Sequence, residues 1–258
     1  SSTAPARPDR PMTDYSRGEL LATVLADTVG YARCITVGAV SPIPAAAALL
    51  VRETAAKPVD VIILGSTRHF PFTDGGREVF DFAGRGRIDV FFLGGGQIDG
   101  AANINLVGAG PWDAPKPRFP GSFGSAYLYY LVPRVILFRE EHSRRVLVPK
   151  VDFVSAPGSS PPEVHRPGGP AALVTGKARF AFDKERRRFR LVSIHPGHDL
   201  DEIVAETGFD FDHDADVPAT PAPTDAQLAI LRSVAREELA DTYPEFVRDQ
   251  LAGPATAA

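Results

Sequence analysis

Ile88-Asp-Val-Phe-Phe-Leu93-Gly94-Gly95-Gly96-Gln97-Ile98-Asp99 runs from an apolar stretch straight into three glycines. The apolar stretch has the length and composition of a strand buried on both faces, as parallel sheets contain. Three successive glycines at a strand end are costly in chain entropy. Two readings account for them: close packing against neighbouring chain, or main chain left bare so that a ligand can approach. Bare N–H groups stabilise a developing oxyanion. Gln97, Asp99, Asn103 and Asn105 follow at once. They are either substrate contacts or braces for the loop, since Asn and Asp readily bond nearby backbone.

Further runs of the same kind flank this one. Val59-Asp-Val-Ile-Ile-Leu64 predicts another strand buried on both faces, and Val135-Ile-Leu-Phe138 a third. Shorter strands are expected at Cys34–Val37, Val146–Val148 and Val151–Val154. Helices fall between them. Ser16-Arg-Gly-Glu19 has capping-box spacing, and Leu20, Leu21, Val24 and Leu25 follow at helical intervals, so a helix to about Thr28 is expected. Ser41-Pro42 opens a second, with Ser as cap, Pro in the first turn and an Ala-rich body. This alternation predicts an α/β fold with an open, largely parallel sheet flanked by helices. After Gly168-Gly169-Pro170 the pattern changes. Ala178–Phe182 and Phe189–Ile194 alternate about Asp183-Lys-Glu185, which predicts a β-hairpin with Arg186-Arg187-Arg188 at its solvated tip. A helix near Leu200–Glu206 follows. The last helix starts at Thr224, with Gln227 completing a second capping box and Leu228, Leu231, Val234 and Leu239 as its buried stripe.

With 258 residues, 44% of them apolar, the chain can bury a substantial core. Residues 1–12 read as a loose leader, 13–250 as a single domain and 251–258 as a fraying tail. The net charge of −4 is mild and the basic clusters are interrupted, which argues against a nucleic-acid partner. No apolar run is long enough for a membrane span, and no signal-peptide core is visible. Cys34 is the single cysteine, so an internal disulfide is excluded and a reducing cytoplasm fits.

The glycine run is not a dinucleotide fingerprint, because Asp99 stands where the third glycine belongs, and no Gly-Lys-Ser/Thr makes it a phosphate loop. His195-x-x-His198 flanks Pro196-Gly197 in a turn with no well-spaced third ligand, so no metal is expected. Ser66 lacks a G-x-S-x-G elbow. Cys34 reads as a core residue. Lys116-Pro-Arg118-Phe-Pro-Gly-Ser122 is a basic, glycine-bearing loop: a surface loop, or one whose Lys116 and Arg118 face the phosphates of an anionic ligand.

Taken in order, these pieces resemble the β subunit of the class I CoA-transferases, especially the glutaconate CoA-transferase branch. The likeness runs from about residue 16 to 240. It is carried by Ile35-Thr-Val-Gly38, Gly94-Gly-Gly-Gln-Ile-Asp99 with Asn103-Ile-Asn105, Lys116-Pro-Arg-Phe119, Lys150-Val-Asp-Phe-Val-Ser-Ala-Pro-Gly158, Val174-Thr175 and Thr207-Gly-Phe-Asp210. The resemblance implies an α-subunit partner in an αβ or α2β2 assembly, an acyl-CoA site between the subunits, and coenzyme A as part of the substrate, with no tightly bound cofactor. It implies a nucleophilic Glu at the end of the strand matching Val59–Leu64, and an oxyanion role for Gly95 and Gly96.

One departure bears on mechanism. Where the family has its Glu, this chain reads Leu64-Gly65-Ser66, and no acidic residue lies between Asp60 and Asp74. Glycine cannot form the acyl anhydride or thioester of CoA transfer. A variant branch, the two-subunit hydrolase that opens the last steroid rings of cholesterol, resembles this chain in that loss and around Val192-Ser-Ile-His-Pro-Gly197. It implies hydrolytic retro-Claisen opening of a cyclic oxoacyl-CoA, with the catalytic Glu on the α subunit. CoA transfer between carboxylic acids is the alternative, and a non-catalytic CoA-ester-binding scaffold the third reading. His69 and Arg68 are expected to face the vacated space. An acidic side chain of this same chain beside the glycine bend would restore the transfer reading.

Overall fold

The computed structural model describes residues 14–252. The leader at 1–12 and residues 253–258 of the expected tail lie outside the described residues. In chain order the strands are β1 Cys34–Val37, β2 Asp60–Ile63, β3 Val90–Leu93, β4 Gln97–Ile98, β5 Ile104–Asn105, β6 Arg134–Arg139, β7 Pro170–Thr175, β8 Ala178–Asp183 and β9 Arg188–Ile194. Seven form one sheet in the order β2-β1-β3-β6-β7-β8-β9, while β4 and β5 pair as a separate ribbon. From β2 to β7 all neighbours run parallel, and β8 and β9 complete the sheet as an antiparallel hairpin.

Strand alternation sorts the core into two layers. Val90 and Phe92 of β3, with Ile136 and Val174, face a cluster built with helices α1 (Arg17–Val29) and α2 (Pro42–Thr54). Phe91, Leu93, Val135 and Leu137 face the opposite cluster, closed by α3 (Gly76–Gly84), α4 (Ser125–Leu131) and the β4–β5 ribbon. An apolar central strand is therefore satisfied on both sides. Ala45 to Ala48 are all fully buried where α2 lies on α1. Both capping boxes form: Ser16 with Glu19 on α1, and Thr224 with Gln227 on α6 (Asp225–Ile230). Between them α5 covers Leu200–Glu206.

Several expectations change. β2 is the sheet edge rather than a doubly buried strand, with Asp60 exposed and Val61 half-buried. Val146–Val148 and Val151–Val154 are not strands. They run as an irregular segment over the ribbon, joined to it by single bridges such as Ile98 with Leu147, and the ribbon supplies the hydrogen bonds a ladder would give. Ser41 sits at the cap position of α2, but its hydroxyl makes no capping bond. A π-helical turn at Leu231–Ala235 follows α6, so Ala235 takes the buried place assigned to Val234. At the hairpin tip Arg186 and Arg188 both pair with Asp212, leaving Arg187 solvated in the left-handed region.

The chain ends with α7 (Arg236–Leu239) and α8 (Pro244–Gln250). Leu251, assigned to the tail, is fully buried in the first cluster. The two ends of the fold are tied together: Ser16 Oγ donates to the Gln250 carbonyl at 2.7 Å, and Arg232 pairs with the buried Glu19 at 2.6 Å.

At the end of β7, two buried histidines gather about Thr175. His142 Nδ1 and Nε2 lie 2.8 Å and 3.0 Å from the hydroxyls of Thr175 and Thr207. His195 contacts the Thr220 hydroxyl at 2.8 Å and the Thr175 carbonyl at 3.0 Å. Burial pushes both imidazoles down to about 4. The unfolded chain, with histidine near 6.5, then binds more protons between about pH 4 and 6.5, so stability falls as pH drops through that window. Each histidine removes roughly 3 kcal/mol by the bottom of it. Urea unfolding between pH 7.5 and 4.5 is expected to show this loss, with a shallower slope in His195→Gln.

Candidate functional site

α2, which follows β1, and the β4–β5 ribbon, which follows β3, lie on opposite faces of the sheet, so the loops after β1 and β3 part at their carboxyl ends, the place where open α/β sheets bind ligands. A cleft of about 600 Å³ opens there. Val40 and Ser41 line it from the β1 loop, Leu93 and Gly94 from β3, Glu140 and Glu141 from the end of β6, and Arg17 from the start of α1.

The three glycines divide by role. Gly94 is exposed on the cleft wall. Gly95 is buried, and a Cβ there would come within 2.5 Å of the Ile104 side chain. At Gly96 a Cβ would meet the Phe119 ring at 2.2 Å. The Gly96 N–H donates to the Asn105 carbonyl at 2.9 Å, which removes it from the oxyanion cradle assigned to Gly95 and Gly96. No hydrogen bond of the described residues uses the Gly95 N–H. Close packing thus accounts for Gly95 and Gly96, and an approachable main chain remains at Gly94.

The polar residues after the bend brace it. Asn105 Nδ2 donates to Gln97 Oε1 at 2.6 Å, and Gln97 Nε2 donates to Asp152 at 3.0 Å. Asn105 Oδ1 accepts from the N–H groups of Val107 and Gly108. Asp99 accepts from Ala101 and Asn103 N–H groups and from the Asn103 amide, while Asn103 Oδ1 accepts from Gly158. Gln97, Asp99 and Asn105 are buried. Substrate contact, the other reading of this set, is not supported: their polar atoms are spent on the loop.

Lys116 and Arg118 are exposed on the loop beyond β5, and neither side chain has an ion pair or hydrogen bond among the described residues. Trp112 on the same loop is 74% exposed and rests edge-on against Phe153.

Gly65 is exposed at the second corner of a turn closed by the Ser66 N–H on the Ile63 carbonyl, with φ +86°. That conformation suits glycine. A Cβ would sit 3.7 Å from Ala39 Cβ, in ordinary contact. His69 does not face this space. Its ring is buried at the sheet edge with Nε2 3.1 Å from Glu238, and Arg68 leans toward Glu237 at 3.5 Å. Burial lowers the His69 pKa, opposed by Glu238.

The condition set for the transfer reading is met: Glu140 and Glu141 line the same cleft as Gly94. Glu141 accepts from Ser143 and Arg145, contacts that hold its carboxyl low. Glu140 is half-exposed and loosely paired with Arg17 at 3.5 Å. Sequence reasoning missed both because β6 ends in a mixed run, Arg139-Glu-Glu-His-Ser-Arg-Arg145, that reads as a solvated turn. No group of three or more possible metal ligands occurs among the described residues, nor does any helix long and apolar enough to cross a membrane.

The family model described as Coenzyme A transferase matches residues 21–206. The β subunit of the 3-oxoadipate CoA-transferase of Pseudomonas knackmussii is 32% identical over 155 residues, 58% of this chain and 59% of that protein. The chain thus spans about three-fifths of the length of that relative. The cholesterol ring-cleaving hydrolase IpdB subunit of Rhodococcus jostii is 29% identical over 242 residues, 86% of this chain and 93% of that protein. The crystal structure of Rhodococcus jostii RHA1 IpdAB superposes with a TM-score of 0.74 at 26% identity, covering 88% of this chain and 99% of the other.

Space at the glycine bend predicts a split outcome. Gly96→Ala is expected to lose about 1–3 kcal/mol in urea unfolding, because Phe119 must move. Gly94→Ala, whose Cβ would lie 3.2 Å from the Phe138 carbonyl, is expected to lose less while narrowing the cleft.

Proposed function

Because this chain belongs to the coenzyme A transferase family, we propose that it is the β-type half of a heteromeric enzyme that hydrolytically opens a cyclic β-oxoacyl-CoA. The observation that carries the reading is Gly65. It is exposed at the strand end in a left-handed turn, with no acidic residue from 61 to 73. A carboxylate nucleophile is absent at that seat, so the covalent half-reactions of CoA transfer have nothing to start from there.

In the proposed reaction a base on the partner subunit takes a proton from water. The water oxygen bonds to the ring ketone carbon, and the bond from that carbon to the thioester α-carbon breaks. Its electron pair becomes an enolate at the thioester, and the α-carbon then takes up a proton. The exposed main chain at Gly94 is suited to receive the enolate oxygen, an arrangement in which preorganised N–H dipoles act where charge develops. Lys116 and Arg118, exposed and unpaired, are suited to the coenzyme A phosphates. The relatives and folds named above support this reading by including both transferase and ring-cleaving subunits.

Glu140, an acidic side chain of this same chain on the cleft that Gly94 lines, supports the second reading, CoA transfer between carboxylic acids. It is half-exposed on the cleft wall with one loose ion pair.

Co-expression with its partner subunit, followed by incubation with a cyclic β-oxoacyl-CoA in 18O-water, separates the two. Hydrolysis is expected to place one heavy oxygen in a new carboxylate while the thioester stays intact. Acceptor-dependent CoA exchange, with borohydride inactivation abolished in Glu140→Gln, would overturn the hydrolytic reading and establish transfer.

A further inference from the structure

A short stretch near the chain end grips both loops that carry the small residues at the outer strand ends. The Tyr243 hydroxyl donates to the Ala39 carbonyl at 2.8 Å. The Thr67 hydroxyl donates to Asp241 at 2.7 Å. His69 Nε2 stands 3.1 Å from Glu238 Oε2, but out of line for a hydrogen bond, so both atoms are buried without one. Arg52 of α2 holds Glu238 from the other side at 2.9 Å, and Arg68 reaches Glu237 at 3.5 Å. Residues 237–243 lie beyond the 21–206 family match.

Between the gripped points lies the turn that presents Gly65. Ser66 Oγ accepts from the N–H groups of Arg68 and His69, and the His69 carbonyl accepts from Ile63, so His69 closes the loop as well as touching Glu238. Ala39 lies directly across from Gly65. Contacts at 39, 67 and 69 therefore fix the turn on both sides.

We propose that His69 and Glu238, supported by Thr67–Asp241 and Tyr243–Ala39, are positioning residues that hold the Gly65 turn against the β1 loop, whose Val40 and Ser41 line the cleft. The proposal rests on the reading of the cleft as an acyl-CoA site only for its effect on turnover. The groups facing His69 are Glu238, Arg52, Arg68 and Asp241. In the gripped arrangement burial, Arg52 and Arg68 oppose protonation of the imidazole and Glu238 favours it, and the net effect lowers its pKa. Releasing the turn frees the imidazole to protonate, so the grip is tighter at neutral pH than in acid.

The test uses the full chain and its complex with the partner subunit. In the full chain alone, amide exchange of residues 64–69 is followed from pH 8 to 5, corrected for intrinsic rates. Protection in the native chain is expected to fall toward pH 5; His69→Gln is expected to abolish that fall and Glu238→Gln to lower protection throughout, while β3 and β6 stay protected. In the complex, the same variants and Tyr243→Phe are expected to lower kcat about tenfold with KM little changed, since a displaced turn misaligns the reacting groups. Exchange at 64–69 that is independent of pH and unaltered in the variants would overturn the proposal. So would variants whose kcat and pH profile match the native complex. If the complex turns over no acyl-CoA, the functional reading fails while the exchange experiment still decides the grip. Should Glu238→Gln not fold, Thr67→Val carries the exchange measurement.

Discussion

The bond from the Gly96 N–H to the Asn105 carbonyl fixes where the chain goes when it leaves the sheet. It folds the β4–β5 ribbon back beneath the glycine bend and commits Gly96 to structure. Gln97 and Asn105 then bond one another in the interior and draw in Asp152 and the backbone at 107–108. A buried polar group left unpaired costs far more than a paired one gains. The ribbon, the loop after it and the segment near 152 therefore have one mutually consistent arrangement. Gly94 is what this arrangement leaves uncovered.

That division explains what could be read from residues alone. β3 and β6 were legible because an unbroken apolar run needs cover on both faces. The capping boxes at Ser16 and Thr224 were legible because their chemistry is local. The segments 146–148 and 151–154 misled for the same reason that made β3 clear: Val146, Leu147, Val148 and Val151 are buried, yet over the ribbon rather than in a ladder. α3 and α4 gave no signal, since each is short and starts at a glycine that offers no side-chain cap.

At the site, types of residue were legible and their duties were not. Gln97, Asp99, Asn103 and Asn105 look alike in sequence whether they touch a ligand or a loop; only the partners of each amide and carboxylate decide. His69 was placed toward Gly65 by proximity in the chain, but Glu238, almost 170 residues on, takes its ring to the sheet edge. Glu140 and Glu141 went unnoticed because nothing local marks the end of β6 as the wall of a cleft. The absent carboxylate at 65 was legible because it is a statement about composition, and the structure adds that the turn there has a backbone suited to glycine.

The tie between Ser16 and Gln250 has a topological consequence. Residues at the two extremities of the fold are already neighbours, so a short peptide bridge can close the chain into a ring without stretching any element. The ring can be reopened at the solvated tip around Arg187, which no core contact crosses. New ends would then project from the hairpin, on the antiparallel side of the sheet, and residues 237–243 would stand in the interior of the chain rather than near its terminus.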